Sequence, residues 1–583
     1  MGGNLRSRRG AVGAEGPAGR DVLRHAVKGQ RRDVALSSLL AAGHQAGEAL
    51  IPVLIGLVID RAVARSDGAA LWWWTGALAV AYVGLSFSFR TGARLSERAA
   101  VAASHELRIA LVGRVLHPGG GTEALGLPGA LVNTATEDAK RVGAVNVAVM
   151  EAVAALAALG VSAAALLWIS VPLGLVVLLG TPLLLWLGHL LSGPLERRSE
   201  AEQDRAGQAS AVAADLVAGL RVLKGIGAES AAVARYRSAS RASLAATLRA
   251  TRAHAWQKGM TLGLTGVFIA LVALIGGRLA AGGDISLGGL VSAVGLALFL
   301  LGPLEVVGWV NAEFAQGRSS AARIAKVLAA PPAVEPGPDA LPVPVRGHVR
   351  LRGVSYAALR DVELEAAPGE LLGVVAADPA DALALLGCLE RVADPDAGAV
   401  ELDGVALTAL DPAEIRRVLL VAGHDADLFE GTLAGNVSAA VRRSPDGAGG
   451  LPRITAAAMA AAGADEVAEA LPHGAATTVT ERGRSLSGGQ RQRVALARAL
   501  AAEAPVLVLH DPTTAVDTVT EARMADALRD FRHGRTTILV TTSPALLAVT
   551  DRVVFLHGGR VTDAAPHAHL VQRHESYRTV VFA

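Results

Sequence analysis

Six long apolar stretches dominate the first half of this chain of 583 residues. Each is long enough to cross a hydrocarbon layer about 30 Å thick as a helix that rises about 1.5 Å per residue. Together with a positive mean hydropathy of +0.41, they predict a membrane domain of six helices. The stretches lie near residues 34–59, 71–89, 143–169, 171–193, 259–281 and 285–310.

The distribution of basic residues predicts the orientation of these spans. The loops at 90–142 and 194–258 contain seven and eleven Lys or Arg residues, whereas the opposite loops and adjoining span ends hold only Arg61, Arg65 and Arg278. By the positive-inside rule, both termini and both long loops are cytoplasmic. Helical spacing of apolar residues in the second loop predicts that the loops are helical extensions rather than domains.

Three further segments complete the predicted organisation. Residues 1–33 are rich in arginine and lack an early apolar run, so we expect a cytoplasmic tail and elbow without a cleaved signal peptide. The membrane domain extends over 34–329, and the Pro-rich stretch 330–346 is predicted to be a linker. From 347 to 583, short apolar strands alternate with Ala-rich and Leu-rich helices, which predicts an α/β domain with a largely parallel sheet. The clearest buried strands are Val506–Leu509 and Thr537–Val540.

Net charge and cysteine content narrow the classes of partner. A formal net charge of +2 gives no reason to expect a nucleic acid partner. The single cysteine, Cys388, excludes an intramolecular disulfide and a cysteine-rich metal site, and we predict no metal site formed by this chain alone. The lipid membrane is therefore the first expected partner.

A glycine-containing motif precedes a predicted helix late in the chain: Leu486-Ser487-Gly488-Gly489-Gln490, followed by Arg491-Gln492-Arg493. The glycines let backbone N–H groups approach a phosphate closely, the serine adds a hydroxyl donor, and the helix N-terminus favours negative charge. This long run in register resembles the signature motif of the ABC transporter family.

The resemblance implies a specific architecture. Residues 219–229 are similar to the second intracellular loop of the family, and residues 320–324 to the segment that leaves the sixth span. In exporter-type ABC transporters, a six-helix transmembrane bundle is followed by an α/β P-loop-type nucleotide-binding domain, and two such subunits interlock. We therefore expect a half-transporter with both domains fused in one chain.

The phosphate loop of that family is absent here. The loop requires G-x-x-x-x-G-K-[ST], in which glycines form a cradle, lysine binds the β- and γ-phosphates and a hydroxyl binds Mg²⁺. After the strand at 371–375, Ala376 and Asp381 replace the two glycines, Ala382 replaces the lysine and Leu383 replaces the hydroxyl residue. Asp378 and Asp381 are expected to add negative charge beside a polyphosphate, and Pro379 removes a backbone donor. The last lysine in the chain is Lys326.

Four further positions depart from the family pattern. His510 stands where an aspartate supports Mg²⁺, and Mg²⁺ prefers hard oxygen ligands. Asp511 replaces the catalytic glutamate with a carboxylate one methylene shorter. His424 occupies the position of the Q-loop glutamine, and Thr542 that of the switch histidine. The segment around Tyr356, which would stack adenine, is shorter than the family pattern. We therefore predict no hydrolysis at this chain's own site, and whether that site binds nucleotide stays open.

The retained motifs belong to the other half of the site. In the family, two nucleotide-binding domains sandwich ATP head to tail, so one chain's Walker residues meet the partner's signature. The resemblance therefore implies that Ser487, Gly488, Gly489 and Gln490 serve the partner's site, together with Asp517 of the D-loop. It also implies a second half-transporter with intact Walker motifs, which would hold ATP and Mg²⁺.

Ionisable residues occur within the predicted spans. His44, Gln45 and Glu48 lie in the first span and Glu151 in the third, where such residues usually face a cavity or pair with one another. His44 and Glu48 are four residues apart and share a helical face, so both interpretations stay open for them. Pairing is the preferred interpretation for Glu305, near the inner end of the sixth span. The otherwise apolar spans favour a small amphiphilic or hydrophobic cargo.

Two functional classes follow from these features. The leading prediction is the non-hydrolytic subunit of a heterodimeric, ATP-driven exporter in a bacterial cytoplasmic membrane. The competing prediction is a pseudo-transporter, a regulatory or assembly protein that retains the fold without pumping. Import rather than export stays open within the same fold.

Overall fold

The computed structural model describes residues 18–126, 128–190, 193–424, 427–441 and 450–582. Residues 1–17 of the predicted tail and residues 191 and 192 of the predicted fourth span lie outside this part. The chain divides into two compact units, Met1–Val112 with Leu127–Ala329 and Gly113–Gly126 with Ala330–Ala583.

Long helices form the first unit. Within the described residues the predicted spans are almost entirely helical, although residues 285 and 286 precede α10, and several helices continue well beyond the apolar stretches, as the spacing in the loops predicts. The break between α10 and α11 at Leu300 falls inside the sixth predicted span. The helices are α1 Gly19–Gly29, α2 Arg31–Val58, α3 Gly68–Val115, α4 Pro128–Asn133, α5 Ala139–Ile169, α6 Val171–Leu190, α7 Gly193–Ala218, α8 Leu220–Gly225, α9 Glu229–Ala281, α10 Leu287–Phe299 and α11 Leu301–Leu328.

Length and composition single out some of these helices as membrane spans. Among the described residues, Gly68–Val115, Gly129–Ile169, Glu229–Ala281 and Leu287–Leu328 are long and apolar enough to cross a membrane, and Val171–Leu187 is a shorter apolar helix. The first predicted span lies in α2, which carries His44, Gln45 and Glu48.

Small residues let the membrane helices approach closely. A Cβ atom at Gly56 of α2 would lie 2.0 Å from Ser292 Oγ and 2.3 Å from the carbonyl oxygen of Gly288 in α10. The Ser292 hydroxyl donates to the carbonyl oxygens of Gly288 and Pro52. Backbones that pack this tightly gain van der Waals contact, which stabilises helix pairs in a membrane where lipid offers no hydrophobic driving force.

The predicted linker, residues 330–346, is neither helix nor strand apart from an isolated bridge at Asp339. It is nevertheless packed against the rest of the second unit, because Val334 is buried and its backbone N–H donates to the Gly119 carbonyl oxygen. Arg114 donates to the carbonyl oxygen of Ala330 at 2.7 Å. Residues 113–126, which the sequence places in the membrane domain, therefore belong to the second unit.

Two main sheets build the second unit. The six-stranded sheet has the order β12-β11-β3-β10-β9-β6, and its pairs are parallel except for β11 with β12. Both buried strands predicted from the sequence, β9 and β10, lie in its centre. The strands are β1 Val349–Tyr356, β2 Leu359–Ala366, β3 Leu371–Ala376, β4 Ala397–Leu402, β5 Val405–Ala406, β6 Leu419–Ala422, β7 Gly431–Thr432, β8 Thr478–Val479, β9 Val506–His510, β10 Thr536–Val540, β11 Arg552–His557 and β12 Arg560–Ala565.

The six-stranded sheet confirms the predicted largely parallel sheet, and a separate antiparallel sheet, β2-β1-β4-β5, was not predicted from the sequence. Its strands alternate buried and exposed residues, as one-sided antiparallel sheets do. Helices cover the sheets: α12 Pro379–Glu390, α13 Pro412–Val418, α14 Leu433–Ser438, α15 Gly450–Ala461, α16 Ala464–Glu469, α17 Gly488–Ala501, α18 Thr518–Arg532, α19 Pro544–Ala548, α20 His567–Arg573 and α21 Glu575–Phe582.

Candidate functional site

The signature residues form the start of α17. Ser487 is the N-cap: its Oγ accepts a hydrogen bond from the Gln490 backbone N–H at 3.3 Å, and Gln490 Oε1 accepts one from the Ser487 N–H at 2.9 Å. This reciprocal capping box satisfies two backbone donors that a helix start otherwise leaves unpaired. Ser487 and Gly488 are exposed, so the capped helix start is open to a ligand.

Gln492 connects the signature to the D-loop. Its side-chain Nε2 donates to Thr514 Oγ1 at 2.7 Å, and its Oε1 accepts from the Ala515 N–H at 2.8 Å. The D-loop then ends at Asp517, the exposed N-cap of α18, which accepts from the Thr520 N–H. That bond and others from the helix start hold the pKa of Asp517 below its ordinary value. The sequence analysis includes Gln492 in the run after the signature but does not predict its contact with the D-loop.

The two signature glycines differ in the space around them. A Cβ atom at Gly488 would lie 3.4 Å from the Ala515 Cβ, which is an ordinary contact. A Cβ atom at Gly489 would lie 2.5 Å from the Ala515 carbonyl oxygen, so the D-loop would have to move. Gly489 is thus required by packing, whereas Gly488 tolerates a side chain without disturbing the fold.

The parallel strands bring the second group of predicted residues to one edge of the sheet. Strands β3, β9, β10 and β6 end at Ala376, His510, Val540 and Ala422, and ligands of open α/β sheets bind outside such carboxyl ends. The residues that follow these strand ends include Asp378, His424 and Thr542, and all three are exposed. Asp425, next to His424, lies outside the described residues.

The helix that follows β3 is capped by its own aspartate. Asp378 Oδ1 accepts a hydrogen bond from the Ala380 N–H at 2.8 Å, and Pro379 occupies the first helical position of α12. In a phosphate loop the N–H groups of this helix start bind phosphate instead. Ala382 is buried and Leu383 is 62% exposed, and neither offers an amine or a hydroxyl to a nucleotide or to Mg²⁺.

Asp381 is held by a contact with a distant loop of the same domain. The side chain is buried, and its Oδ2 accepts a hydrogen bond from the Gly559 N–H at 2.9 Å. This carboxylate binds the loop between β11 and β12, whereas Asp378 is exposed at the start of α12.

Two imidazoles and a carboxylate occupy the end of β9. The ring centroids of His424 and His510 are 6.0 Å apart, and His510 Nε2 lies 3.6 Å from Asp511 Oδ2. Burial lowers the pKa of His510 despite the neighbouring carboxylate of Asp511, and His424 acts in the same direction as burial. A cavity of about 20 Å³ remains beside both rings, with room for about one water molecule.

Asp511 itself adopts a constrained conformation. Its φ of 44° lies in the left-handed region, and its backbone N–H donates to the Val540 carbonyl oxygen. Its Oδ1 is buried and has no hydrogen-bond partner among the described residues. The arrangement holds a carboxylate at the strand end beside an imidazole nitrogen, and Mg²⁺ prefers oxygen ligands. Among the described residues, no cluster of His, Cys, Asp and Glu has the arrangement of a metal site.

The membrane unit brings the four predicted polar residues together. His44, Gln45, Glu48 and Glu151 all line one cavity of about 320 Å³. His44 Nδ1 lies 3.1 Å from the Leu85 carbonyl oxygen, and its Nε2 lies 3.6 Å from Glu48 Oε2. The pair is therefore looser than a hydrogen-bonded ion pair, while the histidine also joins α2 to α3. Glu305 is exposed on α11 and does not line this cavity.

An ion pair between a half-exposed arginine and a buried aspartate joins α11 to the start of α5. Asp138 is 2% exposed and accepts from Arg323 Nε at 2.8 Å and Nη2 at 2.5 Å, and from the Ser320 hydroxyl at 2.9 Å. Ser320 and Arg323 belong to the segment that resembles the exit from the sixth span in the family. Their bonds to Asp138 hold this segment against the start of α5.

Comparison with known proteins agrees with the two units. Residues 34–304 match the family model described as ABC transporter transmembrane region, and residues 359–514 match the model described as ABC transporter. A solved structure titled "Structure of a bacterial Atm1-family ABC exporter with ATP bound" superposes with a TM-score of 0.73 at 23% identity, covering 94% of this chain and 97% of that one.

Curated relatives that are 30% identical to the chain include a flippase and a multidrug efflux protein. The ATP-dependent lipid A-core flippase of Thiobacillus denitrificans matches over 421 residues, 71% of this chain and 71% of the flippase. The Multidrug efflux ATP-binding/permease protein of Mycobacterium bovis matches over 567 residues, 96% of this chain but only 46% of that protein, so the chain spans about half its length. The chain thus belongs to the ABC transporter family, as an exporter-type half-transporter that fuses a membrane domain to a nucleotide-binding domain.

Proposed function

We propose that this chain is the non-hydrolytic subunit of a heterodimeric, ATP-driven exporter. One observation carries the proposal: the same domain holds an exposed, fully capped signature and a phosphate-loop position whose helix is capped by Asp378. A domain that had lost all nucleotide contact would have no need of an exposed, capped signature. A domain that hydrolysed ATP at its own site would not tolerate Asp378 at the helix start that must bind phosphate.

The residues at this chain's own site do not fit ATP with Mg²⁺. Ala382 offers no ammonium to the phosphates, and Leu383 offers no ligand to the ion. His510 presents a nitrogen in a place that calls for a hard oxygen ligand. We therefore place hydrolysis at the partner's Walker motifs.

The signature residues do fit a nucleotide held by a partner. Ser487 and Gly488 are exposed at a helix N-terminus, where a hydroxyl and backbone N–H groups favour an anion. Gly489, Gln490 and the D-loop Asp517 complete the surface that would face the partner. The partner should keep a Walker A lysine, a Walker B glutamate and a switch histidine.

An apolar groove supports the presence of a second subunit. Where α7, α8 and α9 meet, Val217, Val222 and Ile226 are 73%, 66% and 71% exposed. The adjoining groove of about 330 Å³ is lined almost entirely by aliphatic residues. Apolar patches of this kind usually mark interaction sites, and in the exporter fold this loop is the part that interlocks with the partner.

The remaining assignments follow from charge and similarity. We assign residues 1–33 to a cytoplasmic tail and elbow, 34–329 to the translocation domain, 330–346 to the connection and 347–583 to the nucleotide-binding domain. Both termini are cytoplasmic, and the membrane is the bacterial cytoplasmic membrane. Two relatives are called a lipid A-core flippase and a multidrug efflux protein, which supports an amphiphilic or hydrophobic cargo.

The decisive experiment compares two substitutions at Gly488 in the complex with the co-expressed partner. Gly488→Ala introduces a Cβ that the fold accommodates, whereas Gly488→Asp also introduces a negative charge beside the bound phosphates. We expect a partial loss of ATPase activity for the alanine variant, because its Cβ adds bulk beside the phosphates, and a loss of roughly a hundredfold or more for the aspartate variant. Equal activity of native and Gly488→Asp complexes, or no complex at all, would favour the pseudo-transporter.

A further inference from the structure

Two cavities in the membrane unit share His44, Glu48 and Phe89 as lining residues. The first cavity, of about 320 Å³, is also lined by Ser96, Glu97 and Glu151. The second, of about 440 Å³, is mostly aromatic and aliphatic, with Tyr82, Leu85 and Phe299 in its wall. A polar compartment therefore adjoins an apolar one.

The polar compartment has an excess of negative charge. Glu48, Glu97 and Glu151 face at most one positive charge from His44, and no Lys or Arg is among the described residues that line the cavity. Because Nδ1 of His44 must donate to the Leu85 carbonyl, the neutral ring offers no proton to Glu48. The excess therefore exists in either protonation state of the ring.

Two of these carboxylates lack a direct partner. Neither Glu97 nor Glu151 has a hydrogen bond or an ion pair within the part of the chain that the structure describes, and His44 is the basic side chain that shares their cavity. Glu151 lies within the third predicted span, where a carboxylate without a direct partner is costly and marks a functional position. A cation that enters the cavity would compensate them.

The wall of the cavity contains further oxygens without partners. Ser96 is 1% exposed, and its Oγ has no hydrogen-bond partner in the described structure. The same holds for Oε1 of Gln45, which lines the same cavity. Buried polar atoms are almost always paired, so these two oxygens are available to hydrogen-bond a polar group that enters the cavity.

The second compartment suits an apolar body. Phe89 is 68% exposed and its ring centroid lies 5.2 Å from that of His44, so an aromatic face stands at the junction of the two compartments. Tyr82 is 54% exposed on the same helix. Aromatic faces attract cations and bury apolar groups at little cost.

We infer that the double cavity binds an amphiphilic organic cation, with the charge among Glu48, Glu97 and Glu151 and the apolar body against Phe89. This inference rests on the proposed function, because the cation would be the cargo of the exporter. It narrows the cargo from amphiphilic molecules in general to those with a positive head.

Two ions of nearly equal shape and opposite charge test whether the cavity prefers a cation to an anion. Tetraphenylphosphonium and tetraphenylborate are titrated by equilibrium dialysis against the purified full-length chain in detergent, without nucleotide. We expect saturable binding of the cation, at least tenfold tighter than that of the anion. In Glu97→Gln/Glu151→Gln, which keeps the shape of both side chains, affinity for the cation falls roughly tenfold to a hundredfold. Glu305→Gln, an exposed carboxyl outside the cavity, serves as the control and should bind as the native chain does.

Each possible result either supports or overturns cation binding by the double cavity. Equal binding of both ions, or native cation affinity in the double Gln variant, overturns the inference. Single Glu97→Gln and Glu151→Gln variants with native elution volume and melting temperature separate lost binding from lost folding. Cation binding without ATPase activity in the partner complex would leave the inference intact and defeat the exporter proposal, whereas activity without cation selectivity would defeat the inference alone.

Discussion

The carboxylate of Asp381 accepts a hydrogen bond from the Gly559 backbone N–H at 2.9 Å, across 178 residues of sequence. The sequence predicts that Asp381 takes the place of the second glycine of a phosphate loop. In the structure its side chain fastens α12 to the loop between β11 and β12.

This bond predicts a cost for restoring the family residue. Asp381→Gly would leave the buried Gly559 N–H unpaired, which costs about 1–3 kcal/mol. In a domain of this size, each kcal/mol lowers the melting temperature by about 2–4 °C. Thermal melting of the full-length protein measures the change, with the exposed Asp526→Ala on α18 as the control. A melting temperature unchanged from the native value would show that the bond contributes nothing.

Gln492 is predicted to transmit the position of the D-loop to the signature. Gln492→Ala removes bonds to Thr514 and Ala515 that together are worth about 2 kcal/mol. We expect the ATPase rate of the partner complex to fall roughly tenfold or more. Gln492→Glu retains the acceptor for the Ala515 N–H and should keep most of the activity. Equal rates for the alanine variant and the native complex would contradict this role.

His510 predicts a component of stability that depends on pH. Burial holds the pKa of His510 in the folded chain below its ordinary value of about 6.5. As the pH falls through about 6.5, the unfolded chain binds a proton that the folded chain does not, so stability present above that pH is lost until the lower folded pKa is reached.

The measurement is the melting temperature at about pH 7.5 and about pH 5.5. The melting temperature of His510→Gln should fall less over this interval than that of the native chain, because glutamine cannot titrate. His569→Gln, which changes an exposed histidine, should follow the native curve. If both variants lose as much as the native chain, burial of His510 has no role in acid sensitivity.

Arg323 is predicted to be required for the stability of the membrane unit. Without its guanidinium, the buried Asp138 carboxylate keeps only the Ser320 hydroxyl among these partners, at a cost of about 1.5–3 kcal/mol. Arg323→Ala should therefore lower the midpoint of denaturation in detergent. Arg323→Lys keeps the positive charge but cannot donate two hydrogen bonds as the guanidinium does. Its denaturation midpoint should lie between those of the alanine variant and the native protein. An alanine variant as stable as the native protein would exclude this role.

Local patterns predicted most of the fold. The spans, the long helical extensions and strands β9 and β10 follow from periodicity and hydropathy, because each depends on residues within one segment. The capped signature follows from five consecutive residues. These are the features in which local preference and tertiary structure agree.

The features that sequence reasoning missed depend on distant contacts. The inward turn of Asp381 depends on Gly559, and the packing of residues 330–334 depends on Arg114 and Gly119. Glu97 was missed as a cavity residue because the second apolar stretch ends near residue 89, whereas α3 continues to Val115 and carries the carboxylate to α2 and α5.

The central claim is that ATP is hydrolysed at the partner's Walker motifs with this chain's signature. Photoaffinity labelling of the vanadate-inhibited complex with an azido analogue of ATP tests it most directly, because the label identifies the subunit that holds the trapped nucleotide. The account predicts label on the partner alone in the native and Gly488→Ala complexes, and little label in the Gly488→Asp complex. Trapped label on this chain, or partner labelling that Gly488→Asp leaves unchanged, would contradict it.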